Sequence, residues 1–314
     1  MPSFDVVNYS LRANKAIQRS LVFEAVRVLQ ANMNLNDLIF VGLGSIWFAD
    51  FQIAHKFLHL KDLISIEATE IGYRRAKFNR PFRTVSVKHG LSYDVLPDLL
   101  NQTKLTSRPW FLWLDYDGVL DEDKVEEFRN VIERLPPNSI FLTTFPATAS
   151  KYGRPAQRPR RLRRLLGSVV PDDLSRDQCD DNHLSETLLN LTTDFMIAAA
   201  ADSARPGGFV PAFRLAYMDS VPMVTVGGVL PPRGATGSVR GLVSSDQWPA
   251  VSPYPIITPP LTLKEVAVLQ AQLPGDKRLT RKMVKKLGFD LAKEQIRAFE
   301  EYYLYYPIFA EITT

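Results

Sequence analysis

Apolar residues recur along the first half of the chain in two alternating rhythms, one typical of helices and one typical of buried strands. Between residues 14 and 31 they repeat at helical spacing, with Asn14 as a candidate cap. Five β-rich runs follow, separated by helical segments. The predicted strands are 38–43, 62–67, 83–88, 110–115 and 139–144, and the predicted helices are 46–59, 70–78, 92–103 and 123–135. This alternation predicts a doubly wound, parallel sheet of the α/β class.

The pattern changes after residue 146. Residues 146–206 contain a basic run and an amphipathic helix near 184–201, so they are predicted to form a helical insertion, too long for an ordinary loop. Two β-rich runs between 213 and 228 meet at Asp219-Ser220, which predicts a terminal antiparallel hairpin and a mainly parallel seven-stranded sheet. After a segment rich in proline and glycine, residues 261–314 are predicted to be helical. Their first helix has Thr262 and Glu265 at capping-box spacing.

Three of the predicted strands run into small or acidic residues. The first continues into Gly42-Leu-Gly-Ser45, the second ends at Glu67 and the fourth ends at Asp115. Ligands of open parallel sheets bind at the carboxyl ends of the strands. We expect the two glycines to form a tight turn and a helix to begin near Ser45, with its free N–H groups pointing inward. Glu67 follows the second glycine by 23 positions, about where such folds hold ribose hydroxyls.

The same loop excludes two kinds of phosphate site. A dinucleotide fingerprint has a third glycine three positions after the second, and Trp47 stands there. No G-x-x-x-x-G-K-[ST] motif occurs in the sequence, which excludes a P-loop. A cofactor with ribose and adenine but no phosphate fits better, and S-adenosylmethionine is such a molecule.

A wider set of motifs spans nearly the whole chain. It consists of Tyr9-Ser-Leu-Arg12, Gly42-Leu-Gly-Ser45, Ser65-Ile-Glu67, Trp113-Leu-Asp-Tyr-Asp117 and Leu261-Thr-Leu-Lys-Glu265. The glycine loop, the acids and the hairpin resemble those of class I S-adenosylmethionine-dependent methyltransferases. The full set is similar to a bacterial family of O-methyltransferases. The resemblance implies transfer of a methyl group from S-adenosylmethionine to oxygen, or to nitrogen, of an unidentified acceptor.

The resemblance also implies roles for individual residues and a division of the chain. It places Gly42 and Gly44 beside the methionine moiety with Ser45 in the same loop, Glu67 on the ribose, Gly90 and Ser92 near the adenine, and Asp115 near the sulfonium or the substrate. An acid after the third strand is commoner in the family than Ser92. The predicted divisions are an N-terminal helical segment or lid at 1–34, a cofactor-binding domain at 35–228, and a linker with a helical extension at 229–314.

Asp115 and Asp117 are the predicted catalytic residues. A strand that continued through Tyr116 would put both acids on one face. The alternatives are a general base with its orienting partner, a divalent-cation site, or a cap for the following helix. We predict a base and no metal, because no third ligand is identifiable.

Four further residues are predicted on the substrate side or in a lid over the cofactor. Three precede the first strand and one ends the third: Tyr9, Arg12, Lys15 and His89. The alternative for the first three is a solvated N-terminal helix. His55 and His59 lie four apart on a predicted helix but have no third ligand nearby, so they are predicted to pack.

Composition and charge limit the classes of protein and the locations that fit this sequence. The chain has 314 residues, 46% of them hydrophobic, and a net charge of +4. A single cysteine excludes a disulfide framework, and neither a signal peptide nor a membrane span is visible, which predicts a cytoplasmic protein without membrane contact. The basic run is the predicted nucleic-acid contact, through Arg154, Arg158, Arg160, Arg161, Arg163 and Arg164. The alternative function is a catalytically silent cofactor-sensing or nucleic-acid-binding module, with a protein partner in a larger assembly.

Overall fold

The computed structural model describes residues 12–307, and their strands form one seven-stranded sheet. The strands are β1 Ile39–Leu43, β2 Asp62–Glu67, β3 Val85–His89, β4 Trp110–Asp115, β5 Ser139–Pro146, β6 Val210–Met218 and β7 Pro222–Leu230. Their order across the sheet is β3-β2-β1-β4-β5-β7-β6. Strands β1 to β5 pair in parallel, and β7 lies antiparallel between β5 and β6. The predicted sheet and its terminal hairpin are confirmed.

Helices cover both faces of the sheet. They are α1 Ala13–Met33, α2 Ala49–Lys56, α3 Glu70–Phe78, α4 Ser92–Leu100, α5 Thr103–Thr106, α6 Glu122–Arg134, α7 Arg158–Leu166, α8 Leu184–Asp202, α9 Thr236–Val243, α10 Leu263–Gln270, α11 Arg281–Lys286 and α12 Lys293–Tyr302. One apolar core joins the sheet to α1, α2, α3 and the helices after β7. The other joins it to α4, α6, α7 and α8. Helices α7 and α8 lie in the predicted insertion.

Helix α1 is part of the core. Ile17, Val22 and Phe23 are buried, and the Phe23 ring lies 5.7 Å from that of Phe111 and 6.0 Å from that of Trp113 on β4. The alternative of a solvated N-terminal helix is therefore wrong, because this helix carries an apolar face that the sheet buries.

Two predicted helices have different limits in the structure. The helix predicted at 46–59 is shorter, because Phe48 has a φ of 50° and α2 begins only after it. Phe48 is buried, with its ring 5.3 Å from that of Phe51. The helix predicted at 92–103 ends at Leu100, and the extended backbone of Gln102 begins the separate turn α5.

The segment after β7 packs on the same core as α1. Thr262 and Glu265 form the predicted capping box, in which the Glu265 N–H donates to Thr262 Oγ1 and the Thr262 N–H donates to Glu265 Oε2. Phe299 of α12 is fully buried. Within residues 12–307, none of the helices combines the length and apolar character that crossing a membrane requires.

Candidate active site

The carboxyl ends of β1, β2, β3 and β4 open into one cavity of about 600 Å³, a volume typical of small-molecule sites. The cavity crosses the edge of the sheet, from α1 and α2 on one face to α4 and α6 on the other. Most of the predicted site residues line it: Lys15, Gly44, Ser45, Glu67, Gly90, Ser92, Asp115 and Asp117.

The two glycines of the first loop have different roles. Gly42 lies inside β1, paired with Ser65 and Trp113, and not in the turn that the sequence predicts. At Gly44 a Cβ atom would lie 2.0 Å from the hydroxyl oxygen of Ser65 and 3.0 Å from Oε1 of Glu67. Only glycine therefore fits this close approach. The helix expected near Ser45 begins at Ala49, because the buried Phe48 prolongs the turn.

Glu67 ends β2 beside this loop. Its side chain borders the cavity, yet the residue is only 6% exposed. Oε1 has no hydrogen-bond partner among residues 12–307. Burial raises the pKa of Glu67 to about 8, since a carboxylate loses its hydration in such a place. The wall of the cavity therefore contains a buried carboxyl group whose hydrogen-bonding capacity is not fully used by the described residues.

Asp115 forms a partly buried ion pair at the end of β4. Its Oδ2 lies 2.5 Å from Nζ of Lys15, which α1 contributes. Burial raises the pKa of Asp115, and the Lys15 ammonium opposes that rise. A second ion pair, between Arg19 of α1 and Asp50 of α2, lines the same end of the cavity. Two ion pairs thus lie where α1 and α2 meet the sheet.

Asp117 lines the cavity but does not share a strand face with Asp115. Strand β4 ends at Asp115. The last backbone hydrogen bond to β5 comes from Tyr116, whose N–H donates to the Thr144 carbonyl at 2.8 Å. The chain then turns away, so Asp117 is exposed. The expectation of two acids on one strand face is wrong because the strand is shorter than it requires.

Other predicted residues lie elsewhere. Arg12 forms an ion pair with Asp219 in the β6–β7 turn and does not line the cavity. Nδ1 of His89 lies 3.4 Å from Oε2 of Glu70, and its ring stacks on Tyr73, so it too lies outside the lining. The reason is that α3 packs against β3 and supplies both partners. Tyr9 lies outside the described residues.

His55 packs, as predicted. Its Nδ1 lies 2.7 Å from the Leu60 carbonyl oxygen, and its ring centroid lies 4.2 Å from that of Phe82. His59 follows the end of α2 and has a φ of 57°, so the two histidines do not share a helix face.

Sequence reasoning missed Glu127 and its neighbour Tyr116. Glu127 lies on α6 at the far end of the cavity and is buried. The Tyr116 hydroxyl donates to its Oε2, and the carboxyl group also hydrogen-bonds with Ser92. A signal was available: Glu127 precedes Val131 by one helical turn, and Val131 belongs to the buried face of α6.

The arginines of the insertion have local roles. Arg158 is buried and donates to the backbone carbonyls of Gly153, Cys179 and Ala149. Three others bind a carbonyl or an acid nearby: Arg161 with Lys151, Arg163 with Pro171 and Asp172, and Arg164 with Glu122. Arg154 and Arg160 are exposed. A nucleic-acid interface on this run stays a prediction.

A comparison with known protein families gives a result that is consistent with the fold described above. A family model described as "Putative O-methyltransferase" matches residues 7–314. The chain belongs to this O-methyltransferase family. The prediction of a methyltransferase is confirmed by this match. Among curated proteins, none matches the chain.

Solved structures give more distant similarities. The O-methyltransferase from Bacillus cereus in complex with SAH is 15% identical, with a TM-score of 0.40 over 73% of this chain and 84% of that one. An O-methyltransferase-like structure from Klebsiella pneumoniae is 14% identical, with a TM-score of 0.38 over 72% and 84%. Trm1 from Pyrococcus horikoshii with S-adenosyl-L-methionine is 14% identical, with a TM-score of 0.42 over 71% and 57%.

Proposed function

We propose that the cavity at the sheet edge binds S-adenosylmethionine and that the chain transfers its methyl group to an oxygen atom of the acceptor. The observation that carries this proposal is Glu67, which lines the cavity and whose buried Oε1 has no hydrogen-bond partner in residues 12–307. An unpaired buried acceptor costs free energy, so a ligand that donates to it gains binding energy. The hydroxyl groups of a ribose are such donors, and Gly44 and Glu67 line the same cavity.

The charge of the cavity supports a cation rather than a phosphate. Three basic residues line it, Lys15, Arg19 and Lys124. Seven acids line it as well: Asp50, Glu67, Asp115, Asp117, Asp121, Asp123 and Glu127. Lys15 and Arg19 already pair with acids of the site. An acidic cavity repels pyrophosphate and attracts a positively charged sulfonium.

The two ends of the cavity differ, and the difference gives the cofactor a direction. The end formed by α1 and α2 carries two ion pairs and suits the charged amino and carboxylate groups of methionine. The end formed by α4 and α6 has Leu91, Tyr93 and Tyr116 in its walls, beside charged residues of α6, and its apolar and aromatic surface suits a flat base. Glu67 lies on β2 between them. The acceptor therefore approaches beside Asp115, next to the methionine end.

When bound, S-adenosylmethionine supplies an electrophilic methyl group. The protein's part is to align the acceptor and to take up the proton of its hydroxyl group. Asp115 is the proposed base: its burial raises its pKa and makes it a better proton acceptor than an exposed carboxylate. Lys15 orients Asp115 through the ion pair. Asp117, at the exposed rim, is the weaker candidate.

Calorimetric titration with S-adenosylhomocysteine tests the proposal. We expect micromolar binding, about −8 kcal/mol. Glu67→Ala should weaken it by about 1–3 kcal/mol, since the ribose hydroxyls lose a buried acceptor. The matched control is Glu70→Gln on α3, an exposed acid outside the cavity lining, which should bind like the parent. Binding of NAD or ATP without binding of S-adenosylhomocysteine would contradict the proposal.

A further inference from the structure

One edge of the sheet carries a concentration of positive charge that the proposed function does not use. Residues 70–89 comprise α3, the turn after it and β3, and they contain six lysines and arginines against one acid, Glu70. The rest of the chain has one more acid than base, so the net charge of +4 comes from this segment. All six cations are exposed: Arg74, Arg75, Lys77, Arg80, Arg83 and Lys88.

The packing of α3 leaves most of its surface to solvent. Thr69 caps the helix by accepting a hydrogen bond from the Gly72 N–H at 3.0 Å, and the buried residues of the helix are small, Gly72 and Ala76. Ile71 and Phe78 are exposed together with the cations. The large side chains of this helix therefore contribute little to the core and are available for contact with another molecule.

Most of the cations are not neutralised by acids. Arg74 pairs with Glu70 one turn earlier. Four of the six have no ion pair with any acid of residues 12–307, namely Lys77, Arg80, Arg83 and Lys88. Arg80 instead holds the turn between α3 and β3, because it donates to the Lys77 carbonyl at 3.1 Å and to the Val85 carbonyl at 3.3 Å. A surface of this charge attracts a polyanion.

Aromatic rings give the same surface a second property. Phe78 is 89% exposed, and it lies one turn after Arg74 on the helix face that also carries Ile71. The ring of Tyr73 stacks on that of His89, with the centroids 5.2 Å apart. Proteins that bind single-stranded nucleic acid combine cations, which contact the phosphates, with aromatic side chains, which stack on the bases.

We infer that the surface formed by residues 70–89 binds a single strand of nucleic acid, with the cations on its phosphates and Phe78 stacked on a base. A double helix offers the phosphates but keeps the faces of its bases covered. An anionic membrane fits less well, because Arg74 and Arg75 separate Ile71 from Phe78 and leave no continuous apolar face. None of residues 70–89 lines the cofactor cavity, so the inference goes beyond the proposed function and does not depend on it.

The contribution of charge is measured by fluorescence anisotropy at several salt concentrations, with a labelled single-stranded RNA of about twelve nucleotides. Each phosphate that a single strand has neutralised contributes about −0.7 to the slope of log affinity against log salt. Lys77→Gln combined with Arg83→Gln should therefore flatten the slope by about 1.4. The matched control is Arg233→Gln combined with Arg240→Gln. Both arginines are exposed, and Arg240 lies on α9, which packs on β6 at the opposite edge of the sheet. The control should keep the parent slope.

Phe78→Ala separates stacking from charge. We expect affinity for the RNA to fall at least fivefold while the salt slope stays the same, because the variant loses a stacked base and no phosphate contact. The same RNA annealed to its complement should bind the parent protein more weakly and should respond little to the substitution. Leu304→Ala, at a side chain that is 76% exposed, should bind like the parent. Circular dichroism checks that each variant is folded.

Several outcomes would overturn the inference. They are no binding of the RNA at low salt, a slope that both double variants flatten equally, and an affinity that Phe78→Ala leaves unchanged. Binding to vesicles of phosphatidylcholine and phosphatidylserine that Phe78→Ala weakens, without binding of the RNA, would assign the surface to a membrane instead. Calorimetric binding of S-adenosylhomocysteine should be the same in all these variants, so failure of this inference leaves the proposed function standing.

Discussion

Glu67 and Glu127 share an unusual property at the residue scale. Each is a buried acid in the cavity wall, and burial raises the pKa of each. Such groups lower the stability of the ligand-free protein. They are retained where the binding of a ligand offsets this loss of stability, because binding sites often give up stability for function.

The pKa of Glu67 leads to a pH dependence of binding. The pKa of about 8 in the free protein means that Glu67 is mostly protonated at pH 7. Donation by ribose hydroxyls favours the carboxylate, so binding lowers this pKa and releases a proton. Affinity for S-adenosylhomocysteine should therefore rise with pH up to about 8 and level off above it. Calorimetry in two buffers of different ionisation enthalpy measures the released proton.

The control for this measurement is Glu67→Gln, which cannot ionise. It should bind more weakly above pH 8 and lose the Glu67-dependent rise. Proton uptake by the parent protein on binding, or an affinity that does not change between pH 6 and pH 8, would contradict the assignment of Glu67 to the ribose.

Asp115→Asn separates an enzyme from a catalytically silent module. The substitution keeps the shape of the side chain and removes its charge. We expect methyl transfer to fall at least tenfold, about 1.4 kcal/mol of transition-state stabilisation, while S-adenosylhomocysteine still binds. The assay incubates tritiated cofactor with lysate fractions and compares the variant with the parent protein and with Asp117→Asn. Absence of label from every fraction, despite tight cofactor binding, would favour the silent module.

At the scale of elements, local sequence signals were sufficient to predict the bounds of some helices and strands and insufficient for others. β2, β4 and α3 have the bounds that the sequence predicts, because an apolar run or a cap such as Thr69 marks them locally. The start of α2 depends on the left-handed backbone of Phe48 and on the burial of its side chain in the core of the sheet, which no local pattern specifies. Glu127 was missed for the same reason: its role depends on how α6 packs beside Tyr116.

The turn between β1 and α2 should be intolerant of any side chain at position 44. In Gly44→Ala the new methyl group would lie 2.0 Å from Ser65 Oγ and 3.0 Å from Glu67 Oε1. We expect a loss of at least tenfold in affinity for S-adenosylhomocysteine, because Glu67 must move. Ser65→Ala alone should bind like the parent, since its hydroxyl has no partner among the described residues.

Combining the two substitutions gives the decisive comparison. Ser65→Ala removes the nearest atom to the new methyl group, so the double variant should recover part of the lost affinity, a coupling that a double-mutant cycle measures. Strictly additive effects in calorimetry would argue against a direct clash between Gly44→Ala and Ser65.

Helix α7 should depend on Arg158 for stability. Its guanidinium satisfies three backbone carbonyls at 2.7–3.1 Å, which no water can reach easily in a buried site. We expect Arg158→Ala to lower the free energy of unfolding by about 2–4 kcal/mol, measured by urea denaturation. Arg160→Ala, an exposed neighbour on the same helix, should change it by less than about 0.5 kcal/mol. Equal effects would contradict a structural role for Arg158.

The predicted nucleic-acid contact is tested on and beside the same helix. The prediction now depends mainly on Arg154 and Arg160, which are both exposed. If it exists, RNA binding should weaken steeply with salt, and replacing both arginines by alanine should flatten the slope of affinity against salt. Filter binding at several salt concentrations measures that slope, and no binding at low salt would remove the nucleic-acid prediction.

At the scale of the whole molecule, the segment after β7 and the cofactor site share one core. Phe299 is fully buried in the apolar core that also contains α1, and α1 carries Lys15 and Arg19 into the cavity. The Tyr302 hydroxyl lies 2.8 Å from Ser252 Oγ, and the Tyr306 hydroxyl donates to the Pro259 carbonyl at 2.8 Å. The division at residue 229 stays a prediction from sequence, and the shared core predicts that the two parts unfold together.

Thermal unfolding of Phe299→Ala tests this coupling. Truncating a buried phenylalanine costs about 3–5 kcal/mol, and if the core is shared, the single transition of the whole molecule should move to lower temperature. S-adenosylhomocysteine at about 100 times its Kd should stabilise that same transition by about 2.7 kcal/mol in both proteins. The control is Leu304→Ala, whose side chain is 76% exposed. Two transitions, with the ligand-stabilised one unaffected by Phe299→Ala, would show instead that the C-terminal segment folds independently of the site.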